Sequence, residues 1–279
     1  MVINQELRKK IISDENYLKI KLLFNYKVPA SYMTIRPDDV FLVSYPKSGN
    51  TWLRFIIGNL ISDKEVDFNN FNSIIPDIYT SYKNNIKKLP SPRIIKSHEQ
   101  YTRRYPKVIY IYRDPRDVSV SYYFWMKKYR PDFNQTMDSF IKSFIDGSCL
   151  PYGRWDEHVD KWMNSPLAIN NKILLLEYES LKKDPFHSVK KISDFLNLSS
   201  TNQKINESIE LSDFKYMKKL EKTQQKTSDY FKKSDKSIKF VRSGKSEWQK
   251  YFNEDLKNNF KDKFGSLLIK LNYETNNDW

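Results

Sequence analysis

The chain has 279 residues, of which 39% are hydrophobic and 15% aromatic, a composition typical of a globular protein with a sizeable core. No apolar run reaches the ~18 residues of a membrane-spanning helix, and residues 1–17 lack the apolar segment of a signal peptide, so we expect neither. The formal net charge of +14 predicts an anionic partner, while the single cysteine, Cys149, excludes an internal disulfide and suits a cytoplasmic protein.

Strands are predicted at residues 40–45, 93–97, 108–112 and 173–177, because these runs are short and apolar, as strands buried on both faces are. Helical patterns occur at residues 51–61, 116–128, 137–145, 154–163, 185–196 and 254–271. The alternation predicts one α/β domain over residues 1–279, with a central, mainly parallel sheet flanked by helices. The polar, Lys/Ser-rich residues 221–247 are predicted to form a long mobile loop that acts as a lid.

The first predicted strand leads into residues 45–52, YPKSGNTW, and then into a helix. A strand, a tight glycine-containing turn and a helix N-terminus form an anion site, because backbone N–H groups and the helix dipole point at negative charge. Lys47 adds a cation and Thr51 a hydroxyl group. The nucleotide-triphosphate pattern GxxxxGK[ST] does not fit, since the segment has one glycine and its lysine comes two residues earlier.

The second predicted strand lies in residues 92–98, PRIIKSH. His98 comes at its carboxyl end, two residues after Lys96, and ligands of parallel sheets bind at such ends. A lone histidine is more often structural, but one in this place can be a general base near neutral pH.

The third predicted strand ends at Arg113, within residues 110–123, YIYRDPRDVSVSYY. Ser121 lies about two turns into the following helix, so that Arg113 and Ser121 can converge on one phosphate group. We predict that Arg116 and Asp117 form an exposed pair on this helix and lie outside the site.

These three segments resemble the cytosolic-type sulfotransferase family. Residues 45–52 differ only at Asn50 from its 5′-phosphosulfate loop YPKSGTTW, and the other two match PR(I/V)(I/V)K(T/S)H and R(N/D)P(K/R)DVxVSxY. Residues 152–159, 175–185 and 212–218 match family segments more weakly. Residues 242–248 match RKGxxGDW, but they are one residue short and carry Ser243 in place of lysine. The resemblance extends from residue 36 to residue 274.

The resemblance implies a P-loop-like sulfotransferase fold. It also implies transfer of the sulfonyl group of 3′-phosphoadenosine 5′-phosphosulfate (PAPS) to a hydroxyl or amine of a small-molecule acceptor, with PAP as product and no metal. His98 would take the acceptor proton, while Lys47 and Lys96 would neutralise developing charge. His158 would be structural or a wall of the acceptor pocket. The implied cofactor-binding residues are Lys47, Ser48, Gly49, Asn50, Thr51, Trp52, Arg113, Ser121, Tyr178, Ser212, Phe214, Arg242 and Gly244.

Two other functions stay open on the sequence: a P-loop-type small-molecule kinase, and a non-catalytic binder of PAPS or nucleic acid. Nucleic acid is disfavoured because the basic residues occur in scattered pairs with no recognised module. The three histidines are far apart and no cysteine pair exists, so no metal site is predicted. The acceptor is expected to bind among residues 68–82, 129–133 and 221–246. The oligomeric state stays open, because the family's dimer motif KxxxTVxxxE is absent.

Overall fold

Four parallel strands form the centre of the protein in a computed structural model, which describes residues 33–80, 83–148, 151–242 and 244–279. They lie in the order β2-β1-β3-β4. Their bounds are β1 Val40–Val43, β2 Ile94–Ser97, β3 Lys107–Tyr112 and β4 Ile173–Glu177. Strand β1 pairs with β2 and β3, and β3 with β4, in parallel throughout. The predicted α/β fold and its parallel sheet are confirmed.

Helices cover both faces of this sheet. Because side chains alternate along a strand, Phe41 and Val43 of β1 pack into one core, whereas Val40 and Leu42 pack into another. The helices are α1 Asn50–Ile61, α2 Phe71–Ile74, α3 Lys83–Lys88, α4 Pro115–Tyr129, α5 Met137–Asp146, α6 Trp155–Met163, α7 Pro166–Ile169, α8 Tyr178–Lys183, α9 Pro185–Phe195, α10 Asn202–Glu210, α11 Phe214–Gln224 and α12 Glu254–Lys270. The predicted helices correspond to α1, α4, α5, α6, α9 and α12, with ends displaced by at most one residue.

Helix α11 was not predicted, and it corrects the position of the proposed lid. Asp213 caps the helix by accepting a hydrogen bond from the N–H of Tyr216, and Met217, Leu220 and Glu221 are buried along one face. The helix continues to Gln224, so the prediction that a loop begins at residue 221 is wrong. Beyond it the chain forms short 3₁₀ turns at Asp229–Phe231 and Trp248–Lys250.

No helix in the described ranges is long and apolar enough to cross a bilayer. The predictions made for residues 1–17, Tyr82, Cys149 and Ser243 concern residues that the structure does not describe.

Candidate active site

The turn between β1 and α1 has the geometry of an anion site. Lys47 and Gly49 both adopt left-handed backbone conformations, with φ angles of 70° and 102°. A side chain at position 49 would clash, because its Cβ would lie 2.6 Å from the ring of Tyr178. Gly49 is also the N-cap of α1, and no side chain caps the helix. The first-turn N–H groups of α1 are therefore left for a ligand.

A large cavity opens above this turn, at the carboxyl ends of the strands. Its volume of about 1410 Å³ exceeds the roughly 300–1,000 Å³ of sites for one small molecule, so two ligands fit side by side. It is lined by the predicted site residues Lys47, Gly49, Asn50, Thr51, Trp52, Lys96, His98, Arg113, Ser121, Tyr178, Phe214, Arg242 and Gly244. All three segments expected to hold the acceptor also contribute, for example through Asn69, Tyr129 and Tyr230.

Ser48 and Ser212 do not line the cavity, although both were predicted to bind the cofactor. Both are fully buried. The hydroxyl of Ser212 accepts a hydrogen bond from Asn59, and its carbonyl accepts one from the indole N–H of Trp52, 2.9 Å away. Ser212 therefore positions Trp52 from behind the cavity wall.

Asn50, the one departure from the usual loop, turns its side chain toward β1. Its amide nitrogen donates to the carbonyl of Leu42 and to the hydroxyl of Ser44, at 3.3 and 3.2 Å. What Asn50 offers the anion site is its backbone N–H.

Positive charge accumulates on one side of the cavity. The pKa of Lys47 is lowered to about 7 by desolvation first, and then by the charges of Arg113, Arg242 and Lys96. Cations brought this close repel one another, and a polyanionic ligand would remove that repulsion.

Arg113 lies between two carboxylates at the end of β3. Its guanidinium is 3.4 Å from Asp117 and 3.8 Å from Glu179, and it lies over the ring of Tyr178 at 4.3 Å. The Nε atom is buried without a hydrogen-bond partner. Arg113 thus keeps a donor for a further anion.

The prediction of an exposed Arg116–Asp117 pair is wrong, because both residues are buried. Asp117 lines the cavity and accepts a hydrogen bond from the N–H of Glu247 at 3.0 Å. Arg116 bonds Asp114 and Glu274, and its guanidinium lies 4.3 Å from the ring centres of Trp248 and Trp279. The sequence gives no sign of the contacts that Arg116 makes with Trp248, Glu274 and Trp279, since these residues come from distant segments.

His98 is held in the form that a general base requires. Its Nδ1 lies 2.8 Å from the carbonyl oxygen of Ser44, so Nδ1 carries the proton and Nε2 keeps its lone pair. Nε2 makes no hydrogen bond to any residue that the structure describes. The pKa of His98 is lowered well below 6.5 by desolvation, then by the charge of Lys96. The imidazole is therefore neutral at pH 7.

Tyrosine side chains fix the imidazole of His98 on both sides. The phenol of Tyr79 accepts a hydrogen bond from the backbone N–H of His98 at 2.9 Å, and its ring stacks on the imidazole. Tyr152 meets the imidazole edge-on, with 5.6 Å between ring centres. His158, by contrast, is buried outside the cavity and supports β2, with its Nε2 3.1 Å from the carbonyl of His98. Of its two predicted roles, the structure favours the structural one.

Lys96 forms an ion pair with Asp77, a residue that belongs to none of the sequence motifs. Its ammonium lies 2.8 Å from the carboxylate of Asp77, and both side chains are largely shielded from solvent. The backbone aligns them, because Lys96 bonds the carbonyl of Pro76 and the N–H of Ile78 on either side of Asp77. Desolvation lowers the pKa of Lys96, and the charge and hydrogen bond of Asp77 offset part of that lowering.

The segment after α11 lines the cavity through Phe240, Val241, Arg242 and Gly244. A Cβ at Gly244 would lie 2.9 Å from the ring of Phe214, and the carbonyl of Gly244 accepts a hydrogen bond from Lys182. In the same segment, the N–H groups of Phe240 and Val241 donate to the buried carboxylate of Glu221 at 2.6 and 2.8 Å.

Over the ranges that the structure covers, no cluster of three His, Cys, Asp or Glu residues could hold a metal ion.

Comparison with known proteins gives a consistent result. The family model described as "Sulfotransferase domain" matches residues 37–272. The chain is 32% identical to sulfotransferase 1E1 of Bos taurus over 244 residues, 81% of each chain, and 28% identical to the Rattus norvegicus protein of that name over 88% of each. The crystal structure of mouse sulfotransferase SULT7A1 complexed with PAP superposes with a TM-score of 0.70 at 27% identity, over 89% of this chain and 88% of that one.

Proposed function

Because this chain belongs to the family of sulfotransferase domains, we propose that His98, Lys47 and Lys96 perform sulfonyl transfer in the cavity at the carboxyl ends of β1 and β2. The protein is a sulfotransferase that uses PAPS and acts on a small-molecule acceptor. When bound, PAPS supplies the activated sulfonyl group.

The residues of the cavity fit a ligand with phosphate groups at two places. The uncapped N-terminus of α1 and Lys47 would hold the 5′-phosphosulfate group. Arg113, whose Nε makes no hydrogen bond and lies 3.8 Å from Glu179, would hold the 3′-phosphate together with Ser121 and Arg242. The rings of Trp52, Tyr178 and Phe214 line the same cavity and would flank the adenine.

The residues on the acceptor side then have distinct tasks. The lone pair on Nε2 of His98 accepts the proton of the acceptor hydroxyl or amine, while the Ser44 carbonyl keeps the other ring nitrogen protonated. Lys96 places an ammonium beside His98, and Asp77, 2.8 Å from it, favours its charged form against desolvation. Lys47 faces the leaving phosphate with a second positive charge. Most of the rate enhancement would come from positioning and electrostatics.

The observation that carries this assignment is that the cations Lys47, Arg113 and Arg242 and the neutral His98 line one cavity.

We further propose that the chain is one domain, that residues 225–247 act as a lid, and that the protein is cytoplasmic, which its single cysteine suits. The excess positive charge then serves a small polyanion rather than nucleic acid.

The direct test is transfer of label from PAPS to a panel of alcohols, phenols, amines and guanidines. Sulfonated product formed without added ATP or metal supports the proposal. Mg²⁺-dependent turnover of ATP with no sulfonated product would favour a kinase. Salt-dependent DNA binding without any turnover would favour the non-catalytic alternative.

A further inference from the structure

Arg54 is a buried cation that the proposed reaction does not use. It lies in α1, one turn beyond Thr51, and is 3% exposed, yet it lines the cavity. All of its hydrogen bonds to described residues use Nη2, which donates to Asn72 Oδ1 at 2.7 Å and to the carbonyls of Phe71 and Ile75. Nε is buried without a hydrogen-bond partner.

A buried guanidinium without a carboxylate partner is costly, because the charge loses its hydration and gains no counter-ion. Among the residues that the structure describes, Arg54 forms no salt bridge. Partial compensation comes from carbonyl dipoles and from the ring of Phe71, 4.2 Å from the guanidinium carbon. Burial nevertheless lowers the pKa of Arg54 to about 10, while the charge of Asp77 raises it.

The position of Arg54 separates it from the phosphate-binding cations. The charges that act on Lys47 are those of Arg113, Arg242 and Lys96, whereas the acidic neighbour of Arg54 is Asp77, which is paired with Lys96 beside His98. The cavity wall on this side is polar, with the side chains of Asn69, Asn72 and Ser73.

From this arrangement we infer that the acceptor carries a carboxylate, which binds Arg54 while the acceptor's hydroxyl or amine reaches His98. This inference rests on the proposed function and adds the chemical class of the acceptor. Four acidic residues line the same cavity, but none strongly opposes the binding of a carboxylate at Arg54. Asp117 and Glu247 are each 3.4 Å from a cation of the phosphate side, Arg113 and Arg242 respectively. Asp77 is neutralised by Lys96, and the side chain of Asp229 is 95% exposed with Lys232 3.7 Å away.

The test uses protein saturated with PAP, so that a carboxylate cannot bind at the phosphate sites. Three phenols of similar shape serve as probes: 3-(4-hydroxyphenyl)propanoate, its primary amide and the cationic tyramine. Their dissociation constants are measured by calorimetry on the wild-type protein and on Arg54→Gln. A matched control, Lys88→Gln, removes an exposed cation that also lines the cavity.

We expect the carboxylate to bind wild type roughly tenfold or more tighter than the amide, since hydrogen bonds to charged groups are the strong ones. Arg54→Gln should abolish that preference, and Lys88→Gln should keep it. Should Arg54→Gln fail to fold, the wild-type comparison of carboxylate with amide decides alone. The inference would be overturned if wild type bound the carboxylate and the amide equally, or if it bound none of the probes. It would also be overturned if Lys88→Gln, rather than Arg54→Gln, lost the preference for the carboxylate.

Failure of the underlying function would look different. In that case PAP would not bind, and none of the three phenols would be sulfonated from PAPS. If PAP binds and the amide or tyramine is sulfonated as efficiently as the carboxylate, sulfotransferase activity stands and only the acceptor class is wrong.

Discussion

His98 shows how its surroundings set the protonation state of one side chain. Desolvation and Lys96 lower its pKa, and the Ser44 carbonyl selects the tautomer. We expect His98→Ala to keep PAP affinity within a few-fold and to lose transfer by about 10²–10⁴-fold, because only proton removal is affected. The measurement needs an aliphatic alcohol as acceptor, since an acidic phenol ionises unaided. His158→Ala should act through stability alone.

The lowered pKa of His98 also fixes the direction of the pH dependence. A base must be unprotonated to act, so lowering the pH inactivates the enzyme only once the pH falls through that lowered pKa. The acidic limb of kcat/KM should therefore lie below pH 6.5. A limb centred above pH 7 would show that another group is the base.

Lys47 should make PAP binding depend on pH above neutrality. With a pKa of about 7, Lys47 in the free protein loses its proton as the pH rises, and PAP must then restore it on binding. We expect the dissociation constant of PAP to increase between about pH 7 and 9, by at most tenfold per pH unit. Lys47→Arg, which stays charged, should flatten this dependence. Equal slopes in both proteins would exclude Lys47 as its source.

Arg113 should distinguish the two phosphate sites. Arg113→Ala removes a cation from a partly buried site, a loss on the order of 2–5 kcal/mol when a charge-assisted pair is broken. PAP should therefore bind far more weakly, whereas adenosine 5′-phosphosulfate, which lacks the 3′-phosphate, should change little. The exposed Arg103→Ala is the matched control. Equal losses for both ligands would mean that Arg113 does not recognise the 3′-phosphate.

What the sequence predicts at this scale is limited to residues in local motifs. His98 and Arg113 come directly after β2 and β3, and Lys47 lies in the turn between β1 and α1, so their place in the chain fixes their place in the fold. Asp77 reaches Lys96 from 19 residues away, through a backbone pairing with no pattern of its own. Arg54 offered a weak signal, as a charged residue within an apolar helix pattern.

Among the secondary-structure elements, all four strands were found because short apolar runs mark them, although the edge strand β4 is not buried on both faces and leaves Leu175 39% exposed. Helix α10 was missed for the opposite reason. Its sequence, NQKINESIE, buries only Ile205 and Ser208, which gives too little periodicity to detect.

The segment after α11 is held by one acidic side chain of that helix. Glu221 accepts hydrogen bonds from the N–H groups of Phe240 and Val241, and its carboxylate lies 3.8 Å from the ammonium of Lys128. Glu221→Ala leaves those donors without an acceptor, at a cost of about 1–3 kcal/mol. We expect limited proteolysis within residues 225–247 to accelerate, and PAP to slow it again. The exposed Glu210→Ala should behave as wild type, and a Glu221→Ala protein cut at the wild-type rate would refute this anchoring role.

For the molecule as a whole, ligand binding should appear as heat resistance. A ligand that binds only the folded state stabilises it by about 2.7 kcal/mol at a hundred times its dissociation constant. Saturating PAP should therefore raise the melting temperature, and by more than ATP with Mg²⁺ does at equal concentration. The reverse order would favour the kinase alternative.

Because one cavity of about 1410 Å³ is lined by both the phosphate-binding cations and the acceptor-side residues, nothing in its shape requires two separate molecules to fill it. A single compound that joins an adenosine bisphosphate to a phenol through a short tether would meet both regions at once. Once the nucleotide half is bound, the tether presents the phenol half at an effective concentration in the millimolar range. Such a bisubstrate inhibitor would bind more tightly than either half alone, and varying its tether would measure the distance between the two subsites.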